Sequence, residues 1–229
     1  MSETSAKAAI IRLFHVYRQY HAKNALTDLT LDIYRNEFLF VTGPSGAGKT
    51  TLLKLLYRGE KASEGQVLVD GLNISRLGRH RIHLLRRKFG IIFQDYKLIP
   101  TRTVHENIAL VLEAAGRSAR YVRKKTGSVL RTVGMENRQN AYPPALSGGE
   151  QQRVAVARAV VGDPTIILAD EPTGSLDAKS ASLIMGLLKA FHTRGATVVV
   201  ATHDRALIRS IPARVIYLKG GQLTAAPTI

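Results

Sequence analysis

The run Gly43-Pro44-Ser45-Gly46-Ala47-Gly48-Lys49-Thr50 places glycines, an amine and a hydroxyl at the spacing G-x-x-x-x-G-K-[ST]. Glycines let successive backbone N–H groups turn inward around phosphate oxygens, and a helix starting there adds its positive dipole. Lys49 then reaches the β- and γ-phosphates of a nucleotide, and the Thr50 hydroxyl ligates Mg²⁺. The context fits: the apolar run Phe38–Thr42 precedes the motif, and Thr51 to Leu56 reads as a helix that stops near Gly59. Farther on, the apolar run Ile166–Ala169 ends in Asp170-Glu171. Asp170 suits the water shell of Mg²⁺, and Glu171 suits orienting or deprotonating an attacking water.

A second constellation is Leu146-Ser147-Gly148-Gly149-Glu150-Gln151. Ser147 and Glu150 form S-x-x-E, the capping box of a helix that continues through Val154, Ala157, Val160 and Val161. The box by itself is only a helix start. The two glycines bare the backbone at the helix tip, which makes it a place for an anion.

With the phosphate loop before it and Asp170-Glu171 after it, this hexapeptide resembles the signature of ATP-binding-cassette (ABC) ATPases, from about Ile10 to about Leu223. The resemblance implies ATP and Mg²⁺ as ligands and a homodimer of cassettes packed head to tail. Ser147, Gly148, Gly149 and Glu150 of one copy then act in trans on ATP held by the other. It implies that Tyr20 stacks on adenine, with Tyr17 a competitor. Gly43, Pro44, Ser45, Gly46, Ala47, Gly48, Lys49, Thr50, Thr51 and Gln94 then hold the nucleotide. Gln94 resembles the Q-loop glutamine, which senses the metal beside Thr50 and Asp170. Ser175-Leu176-Asp177 is similar to the D-loop that crosses the dimer interface, with Asp177 its carboxylate. His203 resembles the switch histidine at the γ-phosphate, and with Lys49 and Glu171 completes the catalytic set.

Within that family, Leu85-Arg-Arg87, Gly90 to Pro100, Arg102-Thr-Val104 and Leu168 to Gly174 are most similar to the FtsE group of bacterial cell-division cassettes. Cassettes of that group pair with a membrane protein of the FtsX type at the cytoplasmic face of the inner membrane. Three positions depart from the family pattern: Asn36 stands for glycine, Ser175 for asparagine and Thr50 for serine. Lipoprotein-release and macrolide-export cassettes share most of these motifs and are the alternative within the family. A DNA-associated ABC ATPase is the alternative of another class; no specific nucleic acid is expected, since no zinc-binding cysteine set, long heptad segment or second cassette is present.

These residues need elements to hold them. At 229 residues, one α/β domain with an insertion fits better than two folds. The apolar runs Phe38–Thr42, Ile91–Phe93, Ile166–Ala169 and Thr197–Thr202 read as strands buried on both faces of a parallel sheet. Their ends deliver Gly43, Gln94, Asp170 and His203 to one sheet edge, where open α/β sheets bind ligands. Ile11–Leu13, Leu29–Ile33 and Gln66–Val69 read as a separate, partly antiparallel piece. Asn36 reads as a left-handed turn before Phe38. The expected architecture is therefore a P-loop NTPase ABC cassette: a parallel core sheet, a small antiparallel β subdomain and a helical insertion over about 95–160. One domain over 10–225 follows an N-terminal tail, 1–9.

The chain has no cysteine, which excludes disulfides, thiolate nucleophiles and iron–sulfur sites. The first residues lack the apolar core of a secretory signal, and no window approaches the roughly 20 apolar residues of a membrane helix. A soluble or peripheral protein is expected. Lys and Arg outnumber Asp and Glu by 33 to 17, a formal charge of +16. Arg76–Lys88 and Arg117–Arg131 each hold six Lys or Arg residues and carry no carboxylate. Such segments read either as a solvated surface or as a face for anionic lipid or nucleic acid.

Overall fold

The computed structural model describes residues 8–21 and 23–225. In chain order its elements are β1 (Ala9–Tyr20), β2 (Lys23–Tyr34), β3 (Phe38–Thr42), α1 (Lys49–Leu56), β4 (Glu64–Val69), β5 (Leu72–Asn73), α2 (Ile82–Arg86) and β6 (Phe89–Ile92). Then follow α3 (Val104–Ala114), α4 (Ala119–Thr132), α5 (Gly148–Val160), β7 (Ile166–Asp170), α6 (Ala178–Thr193), β8 (Thr197–Ala201), α7 (Arg205–Arg209), β9 (Arg214–Lys219) and β10 (Gln222–Thr224). One sheet has the order β2-β1-β4-β5 and is antiparallel. The other has the order β10-β9-β3-β8-β7-β6 and is parallel except at β10.

The expected two-sided burial is present. Phe38 and Phe40 of β3, Val198 and Val200 of β8, and Ile167 and Ala169 of β7 pack with α3, α5 and α6. The alternate residues Leu39, Val41, Val199, Ala201, Ile166 and Leu168 pack with α1 and the antiparallel sheet. Period-two alternation thus sends successive apolar residues of these strands into one apolar layer or the other. Asn36 adopts φ 51, as its turn requires, and its N–H bonds the Thr197 hydroxyl at 3.0 Å.

Several boundaries differ from expectation. Ala8 and Ala9, assigned to the tail, are structured: Arg35 N donates to Ala8 O at 3.0 Å, and Ala9 pairs with Tyr34. Residues 1–7 lie outside the described residues. The helix after the phosphate loop starts at Lys49, not Thr51. The strand expected at Ile91–Phe93 is Phe89–Ile92, because its register with Ile166–Ala169 of β7 fixes it two residues earlier. The insertion turns helical only at Val104. Its lead-in is tied down by the fully buried Asn107, whose amide donates to the carbonyls of Ile99, Arg102 and Thr103 at 2.9–3.1 Å and accepts from Ile99 N at 2.8 Å. Strands β9 and β10 were not expected. A search for continuous apolar runs passes over Arg214–Lys219, where only Ile216 and Leu218 are buried, although Gly220-Gly221 marks the hairpin between the two.

Phe40 is fully buried, with its ring centroid 5.4 Å from that of Phe38. Phe40→Ala should cost about 3–5 kcal/mol, read as a lower denaturant midpoint at unchanged m-value.

Candidate functional site

The phosphate loop leaves the end of β3 in a conformation open to glycine alone at its two ends. Gly43 has φ 148, and a side chain there would run into the Leu218 carbonyl of β9. Gly48 has φ 106, and a Cβ would stand 2.6 Å from the Ala25 carbonyl. Lys49 opens α1 and is buried; its Nζ donates to the carbonyls of Gly43 at 2.9 Å and Pro44 at 3.2 Å. The lysine therefore closes the loop on itself, and Ala47 N adds a bond to the Pro44 carbonyl at 3.2 Å.

Beside the loop lies a cavity of about 340 Å³ walled by Tyr20, Lys23, Ala25, Ser45 to Thr51, Gln94, Asp170 and Glu171. The end of β1, the phosphate loop, Gln94 two residues past β6 and the end of β7 meet there; of the four residues expected at this edge, Gln94 and Asp170 wall the cavity, and Gly43 and His203 do not. Gly43 and Pro44 sit at the root of the loop and contribute their carbonyls to Lys49. Tyr17 is not among the walls; burial and nearby Asp28 raise its hydroxyl pKa. One face of the Tyr20 ring is covered by the Arg18 guanidinium, 4.2 Å from the centroid, which Glu60 holds at 2.8 Å.

Asp170 is the last residue of β7. Its Oδ1 is buried without a hydrogen-bond partner in the chain. Burial pushes the carboxyl above its ordinary range, and the Thr50 hydroxyl opposes that shift. A buried anionic oxygen without a partner is costly. Beside a hydroxyl and a phosphate-binding loop, it fits a hard divalent cation that keeps water and phosphate oxygens as further ligands.

Glu171 follows with φ 45, an uncommon backbone for a non-glycine residue, and its N–H bonds the Ala201 carbonyl at 2.8 Å. Its side chain is 12% exposed. Oε1 lies 2.8 Å from His203 Nδ1 and 3.8 Å from Lys49 Nζ. His203 is 71% exposed, so the pair joins a sheltered carboxylate to an imidazole reaching outward.

The signature forms the expected capping box: Glu150 N donates to Ser147 Oγ at 3.3 Å and Ser147 N to Glu150 Oε2 at 2.9 Å. Arg138 lies 3.3 Å from Glu150. The Ser147 hydroxyl accepts in this box, so its own proton stays free to donate. Ser147 is exposed, Gly148 and Gly149 are half-buried, and none of them walls the phosphate cavity. Asp177 also lies off the cavity wall. It caps α6, accepting from Ser180 N at 2.9 Å and Ser180 Oγ at 2.7 Å, and these bonds hold its carboxyl below the usual range.

Motif reading passed over Gln152 and Arg158, both on α5. Gln152 is buried and donates to the Pro172 carbonyl at 2.7 Å, tying the helix to the segment after Glu171. A glutamine on the apolar side of a helix was the available signal. The structure also joins the two basic segments. Arg79, Arg86 and Arg87 from one and Arg117 from the other rim a single groove of about 1100 Å³, with Phe89 and Val111 among its walls.

A profile of the ABC transporter family matches residues 26–174. The cell division ATP-binding protein FtsE of Bacillus subtilis is 40% identical over 213 residues, 93% of each chain. The FtsE protein of Escherichia coli is 43% identical over 215 residues, 93% of this chain and 97% of that one. Among solved structures, the ATP-binding cassette MJ0796, dimeric and bound to ADP and Pi in a post-hydrolysis state, superposes with a TM-score of 0.87. It is 39% identical and covers 93% of this chain and 96% of its own.

Ser147→Ala should lower stability by about 1 kcal/mol through loss of the cap, or about 2–4 °C in Tm for a chain of this size. Ser147→Asp, also a good cap, should keep the wild-type Tm. Thermal melts of the two variants check this.

Proposed function

The chain belongs to the ABC transporter family of ATP-binding cassettes and hydrolyses ATP, and from that premise we propose that it works as a homodimer coupled to an integral membrane partner of the FtsX type in bacterial cell division. One observation carries this reading. The residues suited to hold ATP wall one cavity of the chain, whereas Ser147 stands exposed and away from it. A γ-phosphate on Lys49 then gains its remaining donors from a second copy.

In this scheme Tyr20 stacks on the adenine and the N–H groups of Gly46 to Thr51 cradle the phosphates. Thr50, Gln94 and Asp170 would hold Mg²⁺, which would supply positive charge to offset that of the phosphates. Glu171 orients a water for attack on the γ-phosphorus and accepts its proton, while the bond to the ADP oxygen breaks. Lys49 and His203 stabilise the charge on the transferring group, and the partner copy's Ser147 hydroxyl and glycine N–H groups complete the shell. Loss of one such donor costs about 3–4 kcal/mol in the barrier.

The membrane partner is supported by the groove where the two basic segments meet. A concave, apolar-walled site rimmed by guanidinium groups suits a protein segment bearing carboxylates better than a nucleic-acid backbone, which needs an open cationic face. Among the described residues no helix is long and apolar enough to cross a membrane; in the proposed assembly the partner supplies the crossing and the cassette sits at the cytoplasmic face. The names of the relatives favour cell division over lipoprotein release or macrolide export.

Glu171→Gln should abolish turnover while the chain still dimerises with saturating Mg-ATP, measured by light scattering after size exclusion. A strictly monomeric variant with Mg-ATP and its membrane partner present would overturn the proposal. Asp170→Asn should remove the stabilisation by Mg-ATP, which at 100-fold Kd is about 2.7 kcal/mol in the parent chain, while leaving the melt without nucleotide at or above the parent value.

A further inference from the structure

Three motifs that are far apart in sequence meet at Tyr96. The residue lies two past Gln94 and has φ 57, and Lys97 after it has φ 50. Two successive left-handed, non-glycine residues persist only where the surroundings hold them. Here the holder is Arg158 on α5: its Nη2 donates to the Tyr96 carbonyl at 2.8 Å and its Nη1 to the Lys97 carbonyl at 2.6 Å. A planar guanidinium spans two adjacent carbonyls in a way that an ammonium does not.

The kink turns the Tyr96 ring along α5 toward the helix start. Its hydroxyl lies 3.1 Å from Ser175 Oγ, and a Cβ built on Gly148 would stand 2.9 Å from that same hydroxyl. Arg158 and Gly148 are about 15 Å apart along the helix axis at 1.5 Å per residue. Tyr96 and the Arg158 side chain together cover that length. Tyr96 and Ser175 also line a second cavity, of about 630 Å³, which has Gln94 in its wall as the nucleotide cavity does. One side chain therefore touches the glycine of the signature tip and the serine that opens the D-loop, from a backbone adjoining the Gln94 loop.

We propose that Tyr96 is a positioning residue for ATP hydrolysis: clamped by Arg158 and bonded to Ser175, it makes the Gln94 loop, the Ser147 tip and the D-loop move as one body. The proposal rests on the trans reading of Ser147. A displacement at Gln94, whether from the nucleotide or from a docked partner, then resets the tip that serves the second copy. The clamp gives the glycine at 148 a packing reason beyond its bare backbone, since any side chain there would push the hydroxyl off Ser175.

The test uses the full chain with four substitutions, reading kcat and KM for Mg-ATP, the melting temperature, and ATP-dependent dimerisation in the Glu171→Gln background. Tyr96→Phe and Ser175→Ala should each lower kcat about threefold to tenfold, the effect of one neutral hydrogen bond. KM should stay within about twofold, because neither change touches the groups that hold the phosphates. The double variant should be no slower than the slower single one, and Ser175→Thr, which keeps the hydroxyl, should restore kcat. Arg158→Lys should lower kcat with KM kept; if it fails to fold, Tyr96→Phe carries the test. Single variants as fast as the parent, or losses that multiply in the double variant, would overturn the proposal. If the Glu171→Gln chain does not dimerise with ATP, the trans reading fails; if it dimerises and Tyr96→Phe leaves kcat unchanged, this inference alone fails.

Discussion

Burial of the parallel sheet on both faces is the constraint on which everything else depends. Every residue of β3 and β8 is buried, and all but Thr42 and Thr197 belong to one apolar layer or the other, so the strand interiors have no side chain left for chemistry. Reactive groups can stand only where the strands end. The register then decides which of them become neighbours: Ala201 of β8 pairs with Val41 of β3 on one side and with Asp170 of β7 on the other. Adjacent strands lie about 4.8 Å apart. Gly43, Asp170 and the Thr202-His203 segment therefore leave the sheet side by side, although in sequence they belong to remote segments.

At that edge the charges are arranged for a phosphate. Lys49 is buried and bonded to two carbonyls of its own loop, a polar setting that a phosphate oxygen can take over without repacking. Glu171 is held from three directions, by the Ala201 carbonyl at its N–H, by His203 and by Lys49. Its left-handed backbone turns the carboxylate out of the strand direction and back over the cavity. Strain of this kind is maintained by the surrounding contacts. Asp170 is the counterpart, a carboxylate whose buried Oδ1 has no hydrogen-bond partner in the chain and whose setting fits a cation.

Helix α5 links this edge to the rest of the molecule. Its tip carries the capping box, Gln152 reaches the carbonyl after Glu171, and Arg158 grips the loop after Gln94. Gly149 lies so close to Ser180 that a Cβ would approach the hydroxyl to 2.5 Å, which brings the signature helix against α6 and the Asp177 cap. One element thus contacts the segment after Glu171, the loop after Gln94 and the turn at Asp177. The basic groove lies by the far end of this helix, where Ala159 and Gly162 are among its walls.

The sequence by itself determined the local chemistry. The phosphate loop, the capping box of Ser147 and Glu150, the turn at Asn36 and the buried strands of the parallel sheet were all legible, because each rests on spacing within a few residues or on a run of one residue class. Strand β9 was not, because its half-exposed alternation falls between Arg214 and Lys219 and is completed only by pairing with β3. Tyr20 over Tyr17 rested on the family resemblance and not on the residues themselves: both lie near the end of one strand, and it is the packing of that strand against the loop that puts Tyr20 in the cavity wall. The clamp of Arg158 on Tyr96 and the meeting of two basic segments at one groove were likewise decided by tertiary structure alone. Side-chain reach across elements depends on how helices and strands pack in three dimensions, and no periodicity along a single chain encodes it.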